Sequence, residues 1–217
     1  GVPVGNYTKE EAARVYFGIG AHMGTPRSQN AEGHVLGHVC DLGHDFVNDA
    51  TLRGYRGGGP LRFHTDSVDI VGLLCLRAAM EGGESRLVSA ATIHNEMLKR
   101  RPELVKELYR PVHRDRRGGV PEGKDPWWGM PIFQWHENRL NSHFSGLYIR
   151  SAERFDAVPR FSDAQHETFN LLEEIAEDPA NHLSIEFKAG DIQLLNNHEI
   201  LHGRADYRDW DDAAQRR

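Results

Sequence analysis

Residues able to do metal chemistry fall in two short stretches. One is His64-Thr65-Asp66; the other runs Asn196-Asn197-His198-Glu199-Ile200-Leu201-His202-Gly203-Arg204. On an extended segment residues i and i+2 point to the same face, so His64 and Asp66 present an imidazole and a carboxylate side by side. Such a pair can hold one metal ion from adjacent corners, and a third ligand must come from elsewhere. The second stretch follows a strand and offers His198 and His202, which share one side of an extended chain. Spacing alone leaves both open. Two histidines and one carboxylate on one face of an octahedron leave three positions free, the arrangement of non-haem Fe(II) oxygenases. A closed four-ligand site has no such room. The H-x-D tripeptide alone is also what a surface turn with a helix-capping Asp looks like; its weight comes from the downstream histidines.

The elements that must position these groups can be read from pattern. Thr8 and Glu11 form a capping box that opens a helix over about 9–22. Residues 34–42 read as a strand, and 53–60 (RGYRGGGP) as a Gly-rich loop. From Leu61 the chain reads as a strand, a short break, then a buried strand over 68–76. Gly82-Gly83 marks a turn, Ser89 caps a helix to about Lys99, and Pro102 opens a further helical turn or two. The stretch 117–131 reads as a long irregular loop. Segments 132–135 and 140–144 form a hairpin around Glu137-Asn138. Ser162 with Gln165 caps a helix to about Glu177. Strands follow at 183–187 and, after Gly190-Asp191, at 192–195. Strands dominate the middle and end without βαβ alternation, which disfavours a parallel doubly wound sheet. The expected fold is mainly β with flanking helices (α+β), a double-stranded β-helix or jelly roll.

Composition bounds the rest. The 217 residues suit a single domain, and 39% hydrophobic with 27% charged residues is ordinary for a globular chain. The formal net charge is -6 and no basic stripe stands out, which argues against nucleic acid as partner. No apolar run reaches the roughly 18 residues a membrane helix needs, and no charged-then-apolar leader opens the chain. Cys40 and Cys75 sit in apolar runs and read as free buried thiols, which suits a reducing, cytoplasmic setting. The thirteen histidines justify a search for ligand spacing and nothing more. The turn-like start at Gly1-Val2-Pro3 and the stop at Arg216-Arg217, without a capping residue, read as a domain incomplete at both ends.

Taken together, FHTD at 63–66, GGES at 82–85, GDIQLLNN at 190–197, LHGR at 201–204 and the terminal arginine pair resemble, in order, the TauD/TfdA-like (taurine dioxygenase) family of Fe(II)- and 2-oxoglutarate-dependent oxygenases. The resemblance covers about 55–217. It implies His64 and Asp66 as the proximal ligand pair and His202, rather than His198, as the distal ligand. It implies Ser85 as a hydroxyl that helps hold 2-oxoglutarate. It also implies an arginine after the distal histidine that grips the far carboxylate of 2-oxoglutarate bidentately. Arg217 and Arg216 are the candidates, the family spacing pointing to Arg217; Arg204 is the alternative, better suited to a structural ion pair. Halogenating relatives replace the carboxylate ligand with a small residue, so Asp66 favours hydroxylation.

The expected activity is then oxidation of a small organic substrate by dioxygen, with release of succinate and CO2. Trp127 and Trp128 are candidates for an apolar wall or lid, and Tyr55, Arg56 and Asn197 for pocket residues. A homo-oligomer is compatible with the sequence. The alternatives are a jelly-roll binding protein without activity, a cupin-type metalloprotein that does not use 2-oxoglutarate, and a zinc hydrolase. The substrate itself is not named by the sequence.

Overall fold

The structure is a computed structural model that describes residues 1–29, 33–41, 57–117 and 119–212. Its central feature is a four-stranded antiparallel sheet. In spatial order it contains β1 (Leu61–His64), β11 (Ile200–Arg204), β4 (Ser85–Ser89) and β9 (His182–Ile185). Numbering follows the chain, so every neighbour pair in this sheet is joined by a long crossover, as a jelly roll requires. Four two-stranded ladders surround it. β2 (Ile70–Leu74) pairs with β10 (Ile192–Asn196), and β3 (Glu81–Gly82) with β12 (Tyr207–Arg208). β5 (Val112–Asp115) pairs with β6 (Trp127–Met130), and β7 (Phe133–His136) with β8 (Arg139–Ser142).

The helices begin where their caps predict. Thr8 accepts from the Glu11 N–H while the Glu11 carboxylate accepts from the Thr8 N–H at 2.8 Å, opening α1 (Lys9–Ala21). Ser89 caps α2 (Ala90–Arg100), and α3 (Val105–Leu108) follows a single 3-10 turn at 102–104. The short α4 (Gly146–Ser151) was not foreseen. Ser162 and Gln165 repeat the reciprocal cap and open α5 (Asp163–Glu177).

The four-stranded sheet has two chemically different faces. Phe63, Val88 and Leu201 point to one side, where they join Ile93, Met97, Leu108, Phe169, Leu172 and Ile175 from α2, α3 and α5 in one buried cluster. Alternation then sends His64, Leu87, His202 and Arg204 to the other side, which walls an open cleft. The helices thus seal one face and leave the other free for chemistry.

Most expected elements are present within a residue or two, and the hairpin turns at Glu137 and Asn138 with φ of 47° and 63°, as a two-residue type I′ connection needs. Two expectations fail. Residues 34–41 form no strand: Gly37 interrupts the run, and no described strand lies alongside. The stretch 117–131 is not loop throughout, because Trp127–Met130 forms β6. Its flanking prolines and Gly129 suggest a loop, but β5, some fifteen residues upstream, supplies the ladder. The Gly-rich expectation over 53–60 is described only from Gly57 onward.

Phe169 is fully buried between α5 and the sheet. Phe169→Ala should cost about 3–5 kcal/mol of unfolding free energy, because the cavity adds to the lost transfer term. Urea denaturation of both proteins measures it, and a loss under 1 kcal/mol (roughly one methylene's worth) would contradict this account of the core.

Candidate metal centre

His64 stands directly opposite His202 in the β1–β11 pair. Between the Leu61–Arg204 and His64–His202 pairs the register shifts, since three steps along β1 match two along β11. This is a β-bulge. Without the extra residue Phe63 would oppose His202, and His64 would point into the core. Gly203 makes the bulge possible: a Cβ there would lie 2.8 Å from the Leu61 carbonyl oxygen and 3.3 Å from the Phe63 nitrogen.

The rings of His64 and His202 lie 4.4 Å apart, centre to centre. Asp66 completes the group, with Oδ2 3.5 Å from His202 Nε2 and Oδ1 4.0 Å from His64 Nε2. One donor atom from each residue lies within 4.8 Å of the others, a set that could hold a metal ion. His64 Nδ1 donates to the Arg62 carbonyl at 2.9 Å, which fixes the ring and leaves Nε2 with its lone pair toward the other two. Burial, then the neighbouring His202, hold the His64 pKa below the ordinary histidine value, with Asp66 opposing. A neutral imidazole is what metal ligation needs.

Two side chains hold the Asp66 segment. Thr65 points away from the group and is 5% exposed. Its hydroxyl accepts from the Phe144 N–H at 2.9 Å, while its own N–H donates to the Phe144 carbonyl. Asn197, 2% exposed, spans from the β10–β11 turn. Its Oδ1 accepts from the Asp66 N–H at 2.9 Å, and its Nδ2 donates to the carbonyls of Asp66 and Val68 at 2.8 and 2.7 Å. Asn197 therefore acts on Asp66 through the backbone, a sharper placement than a general pocket residue.

His198 lies in the turn before β11, where it pairs with Asp69 at 2.8 Å instead of joining the triad. Residues 198–202 also spell H-E-x-x-H, the zinc-binding string of metallopeptidases, so the expectation of a chain without that signature fails on the sequence and the zinc-hydrolase alternative turns on how the string is folded. The structure removes it. That motif works on a helix, whereas here one histidine sits in a turn and the other in a strand.

Ser85, on β4, pairs across from Arg204, one strand repeat from His202 on the same face. Its hydroxyl donates to Gln193 Oε1 at 2.8 Å, and both side chains are buried. Gln193 Nε2 is buried without a hydrogen-bond partner among the described residues, a donor suited to an incoming carboxylate. Sequence reasoning missed Gln193, although its place in the alternating GDIQLLNN strand could have marked it. Arg204 donates to the Gly57 and Gly59 carbonyls at 2.6 Å each and lies over the Tyr207 ring, so it ties down the Gly-rich loop. Arg216, Arg217, Tyr55 and Arg56 lie outside the described residues.

On the far flank, His143 approaches Thr65 Oγ1 at 3.4 Å, and its ring lies 6.3 Å from Trp128. Burial, then Arg114 and His198, push its pKa down to about 4. The paired tryptophans do not act as one lid. Trp128 lines the cleft, whereas Trp127 packs on Phe155. Cys40 and Cys75 form no disulfide among the described residues, Cys75 being buried. Among the described residues no helix is long and apolar enough to cross a membrane.

A jelly-roll sheet with two histidines on paired strands and an aspartate beside them defines a class of proteins built around a metal-sized cluster in an open cleft. Comparison with known proteins sharpens this. The family described as taurine catabolism dioxygenase TauD, TfdA family matches residues 1–217. FR-33289 synthase of Streptomyces rubellomurinus is 35% identical over 217 residues, covering 99% of this chain and 63% of that protein. The taurine hydroxylase-like protein SAT17 of Stachybotrys chartarum is 32% identical over 210 residues, covering 93% and 53%. Among solved structures, asparagine oxygenase in complex with Fe(II), 2S,3S-3-hydroxyasparagine and succinate matches with a TM-score of 0.62 and 17% identity, covering 82% of this chain and 53% of that one. The non-heme iron oxygenase OrfP in complex with Fe and alpha-ketoglutaric acid matches with 0.62 and 16%, covering 90% and 59%. This chain belongs to the TauD/TfdA family, and it spans between half and two-thirds of the length of these relatives.

Asn197→Ala should weaken Mn(II) or Fe(II) binding by about 10–100-fold, as loss of an outer-shell partner does, and metal titration reads it directly. Unchanged affinity would mean that Asp66 is held without Asn197. A second outcome concerns acid. His64 and His143 take up protons at lower pH in the folded chain than in the unfolded one. Their contribution to stability is present above about 6.5 and lost as pH falls toward 4. In the metal-free protein, His143→Gln should therefore flatten the fall of Tm across that range.

Proposed function

We propose that this chain is the single oxygenase domain of an Fe(II)- and 2-oxoglutarate-dependent dioxygenase that hydroxylates a small organic substrate. The observation that carries the reading is the convergence of His64, Asp66 and His202 across the bulged strand pair, in a chain of the TauD/TfdA family. The donor set fits iron: two imidazoles and one carboxylate on one side, with the cleft open on the other. The pocket beside it fits 2-oxoglutarate. Ser85 stands one strand repeat, roughly 7 Å, along the sheet from His202, the Gln193 amide that it bonds has its Nε2 unpartnered among the described residues, and Arg217 or Arg216 would supply the counter-charge. Bound there, iron with 2-oxoglutarate and dioxygen would supply oxidative decarboxylation to succinate and CO2, one oxygen atom going to succinate and the other to the oxidised C–H bond.

The chain's own residues do the positioning. His64 keeps its Nε2 aimed at the shared site because Nδ1 is tied to Arg62, and Asp66 keeps its place through Asn197 and Thr65. His143 is neutral at ordinary pH, so it can hydrogen-bond to substrate without adding charge. Dioxygen and a small molecule are the partners, and two cysteines outside any described disulfide suit a cytoplasmic location.

With Fe(II) and 2-oxoglutarate supplied, the wild type should form succinate, and Asp66→Ala should reduce this at least about a hundredfold through loss of a ligand. Equal metal-dependent turnover by the two proteins would sink the assignment.

A further inference from the structure

The four-stranded sheet ends differently on its two sides. At one end lies β1, protected in the ways that edge strands usually are. It is bulged against β11 and carries the exposed Arg62. Its last residues are covered, since Ser145 bridges to His64 and the Thr65 N–H donates to the Phe144 carbonyl. At the other end lies β9, where none of these devices is present. Its ladder with β4 runs through four successive pairs, from Ser85–Ile185 to Val88–His182, without a bulge. The strand reads His-Leu-Ser-Ile, with no proline, lysine, arginine or carboxylate. Among the described residues no strand or bridge pairs with its outer side.

This edge is apolar instead. Leu183 is 66% exposed, more than any other large apolar side chain among the described residues, and Ile185 is 36% exposed. Both stand on the cleft-side face of the sheet, Leu183 opposite Leu87 and Ile185 opposite Ser85, but outside the cleft lining. An unprotected apolar edge is a template for one more strand.

The residues around β9 select that strand. In an antiparallel pair, residues directly opposite are of one kind: both exchange backbone hydrogen bonds or neither does. A two-fold axis relating two copies of β9 must therefore pass through a residue. Through Ser184, it sets Leu183 opposite Ile185 of the second copy and His182 opposite Glu186 of the second copy, each pair occurring twice. Apolar meets apolar on one face of the ladder, and imidazole meets carboxylate on the other. Glu186 is exposed and has no hydrogen bond or ion pair among the described residues. His182 uses Nδ1 toward the Ala176 carbonyl at 2.9 Å, which leaves Nε2 for the carboxylate. An axis through Leu183 sets Ile185 against Asn181 in the preceding turn. One through Ile185 sets His182 against Lys188 and carries the pairing past the end of the strand.

We propose that β9 is a self-association edge: two copies of this chain pair their β9 strands antiparallel about a two-fold axis at Ser184, joining their sheets into one. The inference is independent of the oxygenase reading, since it uses no residue of the triad.

The test uses the purified full-length protein. Sedimentation equilibrium at micromolar concentrations should show a monomer–dimer equilibrium. Leu183→Glu and Glu186→Lys each act twice in the symmetric pair, and each should weaken the dimer at least about tenfold by removing a matched cross-strand pair. Both side chains are exposed in the single chain, so Tm should hold in both variants. Cross-linking reads the register. Ser184→Cys should form an intermolecular disulfide on mild oxidation, because the two Cα atoms at the axis lie roughly 4.5–5.5 Å apart. Leu183→Cys should not, because its two copies are offset by roughly 7 Å along the strand as well as across it, beyond the span of a disulfide. The wild type, with Cys40 and Cys75 in place, is the control for both. A wild type that stays monomeric, whether another part of the full-length chain covers β9 or nothing does, overturns the inference. So does a dimer that Leu183→Glu leaves intact, or cross-linking at position 184 no greater than at 183.

Discussion

The antiparallel pairing of Leu61–His64 with Ile200–Arg204, shifted by one bulged residue, is the constraint on which the rest depends. Side chains alternate along a strand, so a one-residue shift exchanges the two faces. The bulge lets Phe63 enter the core and His64 face the cleft directly opposite His202. Gly203 permits the close backbone approach that the shift demands. The same pairing carries Asp66 to the triad, since Thr65 and Asn197 anchor its backbone on two sides.

From this pair outward, the sheet separates stability from chemistry. The face packed on α2, α3 and α5 is apolar, so the opposite face can hold two histidines, a half-exposed carboxylate and the buried Arg204 without contributing to the core. The strand order then separates the cleft itself. β4 carries Ser85 and, through it, contact with Gln193 on one flank of the triad, while the 143–145 segment and the β5–β6 ladder carry His143 and Trp128 on the other.

Helices were the most legible part of the fold, because their determinants are local. Thr8 with Glu11 and Ser162 with Gln165 mark two starts without reference to anything distant. The Glu137-Asn138 hairpin was legible for the same reason. The β5–β6 ladder was not, since Trp-Trp-Gly-Met between prolines has the composition of a loop and becomes a strand only when Val112–Asp115 lies beside it. The error at 34–41 has the converse cause: an apolar run suggests a strand, but a strand requires a partner.

At the site, sequence by itself determined the candidate ligand types and their pairing, because the i, i+2 geometry of His64 and Asp66 is a property of any extended chain and the family pattern pointed to His202. Tertiary structure decided what local pattern could not. It turned His198 away to Asp69 and brought Gln193 beside Ser85 from more than a hundred residues away. Those outcomes depend on which strands lie side by side and in what register, and register is set by long-range burial that no short stretch of sequence contains.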